Sequence, residues 1–190
     1  MGNFWGHFHT INRHRKLVRQ GCFRMGLYWQ GLTHDLSKYS PVEFWTGVKY
    51  YQGTRSPNTA EREAKGWSEA WMHHKGRNRH HWEYWTDLNL KTHCYAPVPM
   101  PQKYLAEMIA DRIAACKTYQ GSAYTDASAL AYFDRSNEAR LIHPDTIREL
   151  RFLLTFLKEH GEDETFRYMK SCLKSGRAFC EKEAHISQKV

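Results

Sequence analysis

Residues 102–119, QKYLAEMIADRIAACKTY, decide the fold class, because they carry the clearest helical pattern in the chain. Apolar side chains recur there at the three- and four-residue spacing of a helix: Leu105, Met108, Ile109, Ile113 and Cys116. Asp111 lies on or beside this apolar stripe, since it follows Met108 by three residues and Tyr104 by seven. A helix with such a stripe predicts a helical core against which other helices pack.

The segments on both sides of this helix favour helices as well. Helical patterns cover residues 13–24, 27–38, 41–51, 61–87 with a break near 76–78, 144–160 and 164–175. Ser40 and Pro41 have the order of an N-cap and a first-turn proline, and Gly161 is placed as a helix stop. Residues 52–60 and the proline-rich 92–101 are expected to be loops or a linker. The alternation typical of strands is poor throughout.

We therefore predict an all-α fold, a compact multi-helix bundle of six to eight helices. Residues 1–160 are expected to form one helical domain. Residues 161–190 are expected to form a C-terminal helix and a charged tail, either within the same domain or as an appendage.

The chain has 190 residues and a net charge of +8, and histidine is unusually frequent, with 12 residues. Residues 1–95 hold nine of these histidines and a charge of +7, so the basic field and the histidines coincide. A hydrophobic fraction of 41% excludes a disordered or fibrous chain. The basic half favours anionic partners, which could be phosphorylated metabolites, nucleotides, nucleic acid or an anionic membrane surface. The alternative is that the charge mainly keeps the protein in solution.

The cysteines and apolar segments bear on the compartment. The amino-terminal residues lack the apolar core of a secretory signal, and the longest strongly apolar stretch is 152–157. A membrane-spanning helix needs about 20 residues. The five cysteines form no C-x-x-C pair, which favours reduced thiols. These features predict a cytoplasmic protein with no membrane partner.

His34 and Asp35 are the first candidate site residues, because they end an apolar helical segment. Adjacent side chains on a helix point about 100° apart, so both can reach one metal ion only where the helix ends or bends. The alternative is an Asp that caps a helix beside a histidine with ordinary hydrogen bonds.

Two histidine doublets, His73-His74 and His80-His81, lie in WMHHKGRNRHHWEYW, residues 71–85. On a continuous helix, residues seven apart share a face, so His73 would meet His80, or His74 would meet His81. Imidazole is the commonest metal ligand near neutral pH. The doublets predict a metal or phosphate site, against the alternative of a surface or ring-stacking role.

Asp111 and His14 complete the candidate set. A carboxylate beside an apolar stripe is costly unless it is paired or metal-bound, and a salt bridge to an arginine is the alternative. Glu107, one turn earlier, is the fallback acid. An antiparallel pair of helices joined at Gly26 could bring His14 to His34, although an ordinary surface role, or His7 or His9 in its place, stays open.

In order, the set reads His … His-Asp … His-His … His-His … Asp on helices, and this resembles the HD-domain superfamily of metal-dependent phosphohydrolases. HDLSK (34–38) is similar to the HD-x-x-K variant, in which the lysine contacts substrate phosphate. The order is most similar to the members with two metal ions. Three stretches, at 26–44, 50–57 and 70–85, also closely resemble an uncharacterised family of bacterial and phage proteins, over roughly residues 14–150.

The resemblance implies an HD-like domain over residues 1–160 that hydrolyses a nucleotide or another small phosphoester, with a metal-activated hydroxide as the nucleophile. The cofactor would be a divalent transition metal (Mn, Fe, Co or Ni), two ions per chain. Its ligands would come from one set: His14, His34, Asp35, His73, His74, His80, His81 and Asp111. Asp35 and Lys38 would be catalytic. Substrate phosphate would meet four cations: Lys38, Lys75, Arg77 and Arg79.

Two other functions stay open at this point. The superfamily includes di-iron oxygenases, which would act here on a phosphonate or a polyol. A basic, aromatic-rich helical chain could also bind nucleic acid without catalysis, although it has no recognised nucleic-acid-binding motif. Four aromatic residues could stack on a nucleobase or pack in the core: Tyr28, Trp29, Trp82 and Trp85.

Overall fold

The core of the molecule is a long helix in its middle, and the other helices are arranged around it. In the computed structural model, which describes residues 2–180, 71% of the residues are helical. The α-helices of these residues are eight: α1 (Gly2–Met25), α2 (Tyr28–Thr33), α3 (Pro41–Lys49), α4 (Pro57–Lys65), α5 (Glu69–Lys75), α6 (Gln102–Gln120), α7 (Ser128–Arg135) and α8 (Pro144–Ser175). The prediction of an all-α bundle of six to eight helices is confirmed. Met1 and 181–190 of the expected charged tail lie outside the described residues.

Helix α6 is the central element because both α1 and α8 pack against it. Leu105 to Ala110 are buried without interruption, and Leu105 and Ile109 have no exposed surface. The facing side of α8 contributes leucines that are equally buried: Leu150, Leu153, Leu154 and Leu157. Full burial of a side chain of this size stabilises a fold by roughly 1.5–3 kcal/mol, so this contact holds the bundle together.

Local signals explain where several helices begin and end. Ser40 accepts a hydrogen bond from the backbone N–H of Glu43 (3.4 Å), and Pro41 takes the first position of α3, as the sequence predicts. Helix α8 is interrupted at Gly161, whose φ of 76° and ψ of 174° lie outside the helical region. This matches the predicted stop there. The part of α8 after Gly161 places Phe166 and Met169 in the same core as Leu105.

The structure corrects two sequence predictions between residues 61 and 101. The predicted break near 76–78 is present, where the Asn78 side chain donates a hydrogen bond of 2.8 Å to the His74 carbonyl and competes with the helical pattern. The helix predicted over 61–87 is also interrupted at Gly66, whose φ is 83°, and beyond the break only the short turn Trp82–Tyr84 is helical. The chain that follows forms an antiparallel pair of short strands, β1 (Thr86–Asn89) and β2 (Cys94–Pro97), where mainly loop was expected. The strands lack a buried face, so no apolar alternation marks them in the sequence.

None of the helices described is both long and apolar enough to cross a lipid bilayer.

The close approach of α1 to α6 gives a prediction for stability. A Cβ atom at Gly21 would lie 3.0 Å from the Ala110 Cβ and 3.1 Å from the Phe166 Cζ. The larger side chain of Gly21→Val should therefore overpack this contact and lower the free energy of unfolding by about 1–3 kcal/mol in urea denaturation. Gln20→Val, which places the same new residue at an exposed position of α1, is the control. It should lower the free energy of unfolding by only a few tenths of the loss in Gly21→Val. Equal losses in the two variants would contradict the packing described.

Candidate metal centre

The backbone at the end of α2 positions His34 and Asp35. Helix α2 ends at Thr33, and Asp35 adopts a left-handed conformation, with φ 54° and ψ 28°. The Arg15 guanidinium donates hydrogen bonds to the carbonyls of His34 (2.8 Å) and Leu32 (3.1 Å), which satisfies this helix end. The predicted helix end is thus present, and the break lets both side chains point to one place.

The Asp35 carboxylate lies at the centre of the site, with only 1% of the residue exposed. Its Oδ2 lies 3.3 Å from the His34 Nε2 and 3.6 Å from the His14 Nε2. Its Oδ1 lies 3.3 Å from the His74 Nε2 and 3.4 Å from the His80 Nε2. Each oxygen of one carboxylate therefore faces a different pair of imidazoles.

Three groups of side chains among residues 2–180 could hold metal ions, and two of them share Asp35. Of these two, the first is His14, His34, Asp35 and Asp111, and the second is Asp35, His74, His80 and His81. The third group is His34, His80 and Glu107. Within each group, one ligand atom per residue lies within 4.8 Å of all the others. Ligand bonds of about 2.0–2.2 Å to an ion put neighbouring ligand atoms about 3–4 Å apart, so the two groups have suitable dimensions.

Two glutamates hold the far side of the imidazole rings. Glu107 Oε1 lies 2.9 Å from the His34 Nδ1 and 3.2 Å from the His80 Nδ1. Glu43 Oε2 lies 2.7 Å from the His74 Nδ1. An imidazole that donates from Nδ1 to a carboxylate presents the lone pair of its Nε2, which is the arrangement that orients histidine ligands in metal sites.

Several atoms that face inward make no well-aligned hydrogen bond among residues 2–180, although Lys38 Nζ lies 2.6 Å from Asp35 Oδ2 and Asp111 Oδ1 lies 2.9 Å from the His14 Nε2. They are the Nε2 atoms of His14, His34, His80 and His81, together with both carboxylate oxygens of Asp35, and all of them are buried. Buried polar atoms are nearly always hydrogen-bonded, so a cluster of such atoms without a well-aligned hydrogen bond is compatible with a bound group. Imidazole and carboxylate ligands fit a divalent transition metal.

The charges of the site are also compatible with a bound cation. Burial would raise the pKa of Asp35, but His34, Lys38 and His74 outweigh it and hold this pKa well below its ordinary value. Asp111 behaves alike, since His14 and His34 lower its pKa against the effect of burial. Both carboxylates are therefore ionised near neutral pH, and they attract positive charge.

The histidines differ in their electrostatic surroundings. Burial disfavours the charged form of His34, yet the charge of Asp35 and hydrogen bonds to Asp111 and Glu107 raise its pKa well above the ordinary value. Burial and the neighbouring His80 lower the pKa of His81 well below that value, so its ring is neutral. A neutral ring is the form that binds a metal ion.

Most of the predicted ligands lie together in the structure. The two groups contain seven of the eight: His14, His34, Asp35, His74, His80, His81 and Asp111. The structure does not place His73 with them. Its Nδ1 bonds to Glu43 Oε1 at 2.6 Å, on the outer side of that carboxylate. Of the two expected pairings of residues seven apart, His73 with His80 is absent, whereas His74 and His81 lie together, with ring centroids 4.8 Å apart. Helix α5 ends at Lys75, so a turn and not a continuous helical face brings His80 and His81 to His74.

A cavity of about 600 Å³ opens beside the two groups, and Asp35, His14 and His74 form part of its wall. Four cationic residues line it: Lys38, Arg55, Arg62 and Arg112. Lys38 Nζ lies 2.6 Å from Asp35 Oδ2, and burial, which alone would lower its pKa, is outweighed by Asp35 and Asp111, which raise it. Lys38 is therefore a charged group that faces both the shared carboxylate and the cavity.

The other predicted phosphate-binding residues do not line this cavity. Arg79 bonds to the Tyr104 hydroxyl (3.1 Å), Arg77 bonds to the His73 carbonyl (3.1 Å), and Lys75 lies at the end of α5. The break of the helix at Gly76 turns this basic segment outward. Of the predicted aromatic wall, Trp82 lines the cavity and Trp85 packs on the core, whereas Tyr28 and Trp29 are exposed.

Sequence reasoning missed the role of Glu43 and of three arginines. Ser40 and Glu43 have the spacing of a helix capping box, which supplies an ordinary reason for a glutamate there. The arginines at 55, 62 and 112 carry no motif, and the packing of α4 and α6 around the cavity brings them to it.

The fold and the site define a helical protein with a buried His and Asp centre that could hold metal ions. The chain belongs to a family of unknown function, DUF5662, whose model matches residues 3–155. No curated protein and no solved structure matches the chain.

The adjacent residues His73 and His74 provide a matched test of the centre. His74→Gln removes an inward-facing ligand and should lower the metal content of the purified protein. His73→Gln changes a neighbour of the same type outside both groups and should leave the content at the wild-type level. Elemental analysis of protein purified without added metal measures both values. An equal loss in the two variants, or no metal in the wild type, would contradict this assignment.

Glu107 should control the affinity for an ion held by the two groups that share Asp35, to which it contributes no ligand atom. Glu107→Gln replaces a carboxylate shared by His34 and His80 with a neutral amide, so both rings lose orientation and basicity. Changes of this kind lower metal affinity by about 10–100-fold. Competition with a chelating dye measures the affinity, and Glu164→Gln, an exposed change on α8, is the control. Unchanged affinity in folded Glu107→Gln would refute the orienting role.

Proposed function

We propose that this protein is a metal-dependent phosphohydrolase that acts on a nucleotide or another small phosphoester. The observation that carries the proposal is the shared carboxylate of Asp35, which faces two separate groups of unsatisfied ligand atoms at the wall of a cavity. An active site of HD type with two ions (Mn, Fe, Co or Ni) is part of the proposal. When bound, two such ions lower the pKa of a coordinated water and offset the charge of phosphoryl oxygens.

Some residues would hold the metal ions, and others would bind the substrate. The first ion would be held by His14, His34 and Asp111, the second by His74 and His80, and Asp35 would serve both. Glu43 and Glu107 would keep the imidazoles in place through their Nδ1 atoms. The ligand atoms would then be fixed before substrate arrives, which limits reorganisation during the reaction.

Lys38 would provide the nearest permanent positive charge to the substrate. Its ammonium contacts Asp35 Oδ2 and faces the cavity, so a phosphate oxygen could share it. Arg112 also lines the cavity, where Glu138 holds it at 2.8 Å. The cavity has room for an organic group as well as a phosphate, in the range typical of small-ligand sites.

Phosphate release from a panel of nucleotides, sugar phosphates and p-nitrophenyl phosphate tests the proposal. The metal-loaded wild type should turn over at least one member. Lys38→Met should lower kcat by about 10²–10³-fold while metal content stays the same, because a charge that stabilises the transition state is lost. Lys75→Met is the matched control, since Lys75 does not line the cavity, and it should retain wild-type activity.

Two results would contradict the proposed function. A metal-loaded wild type that releases no phosphate from any member of the panel would refute a phosphohydrolase. Oxygen uptake by the iron-loaded protein with a phosphonate or a polyol would identify an oxygenase instead.

A further inference from the structure

The cavity of about 600 Å³ extends along α1 away from the candidate metal centre. His14, at that centre, and His7, two turns earlier on the same helix, both line it. Residues seven apart share one face of a helix, so a single face of α1 carries a histidine at each end of this stretch. His7 belongs to none of the three groups that could hold a metal ion among the described residues.

His7 is buried, with 7% of the residue exposed, and its Nδ1 has no hydrogen-bond partner among the residues described. Its ring lies against α3 at Gly47, where an added Cβ atom would be only 2.0 Å from the His7 Nε2. Glycine at this position leaves the space that the ring occupies. Burial, with a contribution from Lys38, lowers the pKa of His7 to about 4, so the ring is neutral near pH 7. A buried, neutral, unsatisfied nitrogen is suited to a polar group of a ligand.

The cavity wall is also polar in residues that carry no charge. Thr10 lies between His7 and His14 on α1, and the start of α4 contributes Ser56, Asn58 and Thr59. The two arginines that line the cavity here are engaged elsewhere. Arg55 makes two hydrogen bonds of 2.6 Å to Glu63, and the Arg62 guanidinium lies over the ring of Trp71, 5.4 Å from its centroid. Hydroxyl, amide and neutral imidazole groups match the hydroxyls of a ligand better than a second anion.

We propose that His7 is a substrate-binding residue whose Nδ1 hydrogen-bonds a hydroxyl, and that the substrate is a hydroxyl-rich phosphoester, a polyol or sugar phosphate. The phosphate in this statement rests on the proposed function. The hydroxyl contact rests on His7 and the cavity wall alone. The two parts can therefore fail separately.

Two ligands with the same carbon chain separate hydroxyl recognition from phosphate recognition. Sorbitol 6-phosphate and n-hexyl phosphate both have six carbons and one phosphate, and they differ in the hydroxyls. Calorimetric titration of the metal-loaded protein measures Kd for each, and phosphate release is followed in parallel. We expect the wild type to bind sorbitol 6-phosphate at least about tenfold more tightly, because unmatched polar groups in the cavity penalise the hexyl chain.

Variants of His7 then assign the preference to this residue. His7→Phe keeps an aromatic ring but no nitrogen, and it should weaken binding of sorbitol 6-phosphate by about 3–10-fold, the effect of one lost hydrogen bond. Binding of n-hexyl phosphate should change less than about twofold. His7→Asn restores a polar atom near the position of Nδ1 and should recover most of the loss. His9→Phe, an exposed change on the same helix, is the control and should alter neither Kd.

The other possible results each contradict either the hydroxyl contact or the phosphohydrolase function. Equal binding of the two ligands by the wild type overturns the hydroxyl contact, even where His7→Phe does not fold. An equal loss for both ligands in folded His7→Phe, or no recovery in His7→Asn, also overturns it. A His7-dependent preference in Kd without phosphate release supports the hydroxyl contact and removes the phosphohydrolase. Phosphate release from both ligands at equal rates, with equal Kd values, supports the phosphohydrolase and overturns the hydroxyl contact.

Discussion

The ionised carboxylate of Asp35 is the constraint on which the site depends, because it is almost fully buried. An isolated carboxylate in the interior of a protein is very costly, so the fold has to surround it with positive or hydrogen-bonding groups. Lys38 approaches one of its oxygens, and imidazoles from α1, from the end of α2, from α5 and from the turn after α5 approach both. The left-handed backbone at Asp35, which is costly for a residue other than glycine, is what places the carboxylate among them. The contacts that pack these elements together therefore also form the site.

A network of hydrogen bonds between buried side chains could in principle satisfy such a carboxylate without any ligand. The arrangement observed differs from that case in part. The glutamates bond to the outer nitrogens of the rings, and most inner nitrogens make no well-aligned hydrogen bond in the described part of the chain, although Asp111 Oδ1 lies 2.9 Å from the His14 Nε2. Four buried or partly buried acids meet there, Asp35, Glu43, Glu107 and Asp111, and their pKa values are all lowered despite burial. Lys38 is the one permanent cation that contacts Asp35 among residues 2–180. A half-satisfied network would be unstable, whereas bound cations would satisfy the inner nitrogens and the acids together.

The residues show why much of this could be predicted and the rest could not. The stripe of α6 and the helix end at His34 depend on neighbours in sequence, and both predictions were correct. The assignment of the doublets used the periodicity of a continuous helix, and the side chain of Asn78 ends that helix. His74 therefore faces Asp35 while His73 lies on the outer oxygen of Glu43, and the basic segment 75–79 turns away from the cavity. The arginines that line the cavity come from α4, from the loop before it and from α6, which are distant in sequence, and tertiary packing alone decides such positions.

The two ends of the cavity are built from different elements, and this would separate the proposed metal centre from the proposed substrate contacts. The candidate metal centre is formed by the end of α2, by α5 and by α6, and buried glutamates orient its imidazoles from α2, from α5 and from the turn after α5. The far end is formed by α3, through the space at Gly47, and by the start of α4 at residues 56–59. Helix α1 contributes to both ends, with His14 at one and His7 at the other. Changes at residues 56–59 would therefore alter the organic group that fits without changing a candidate metal ligand, whereas a change that moves α1 would affect both ends.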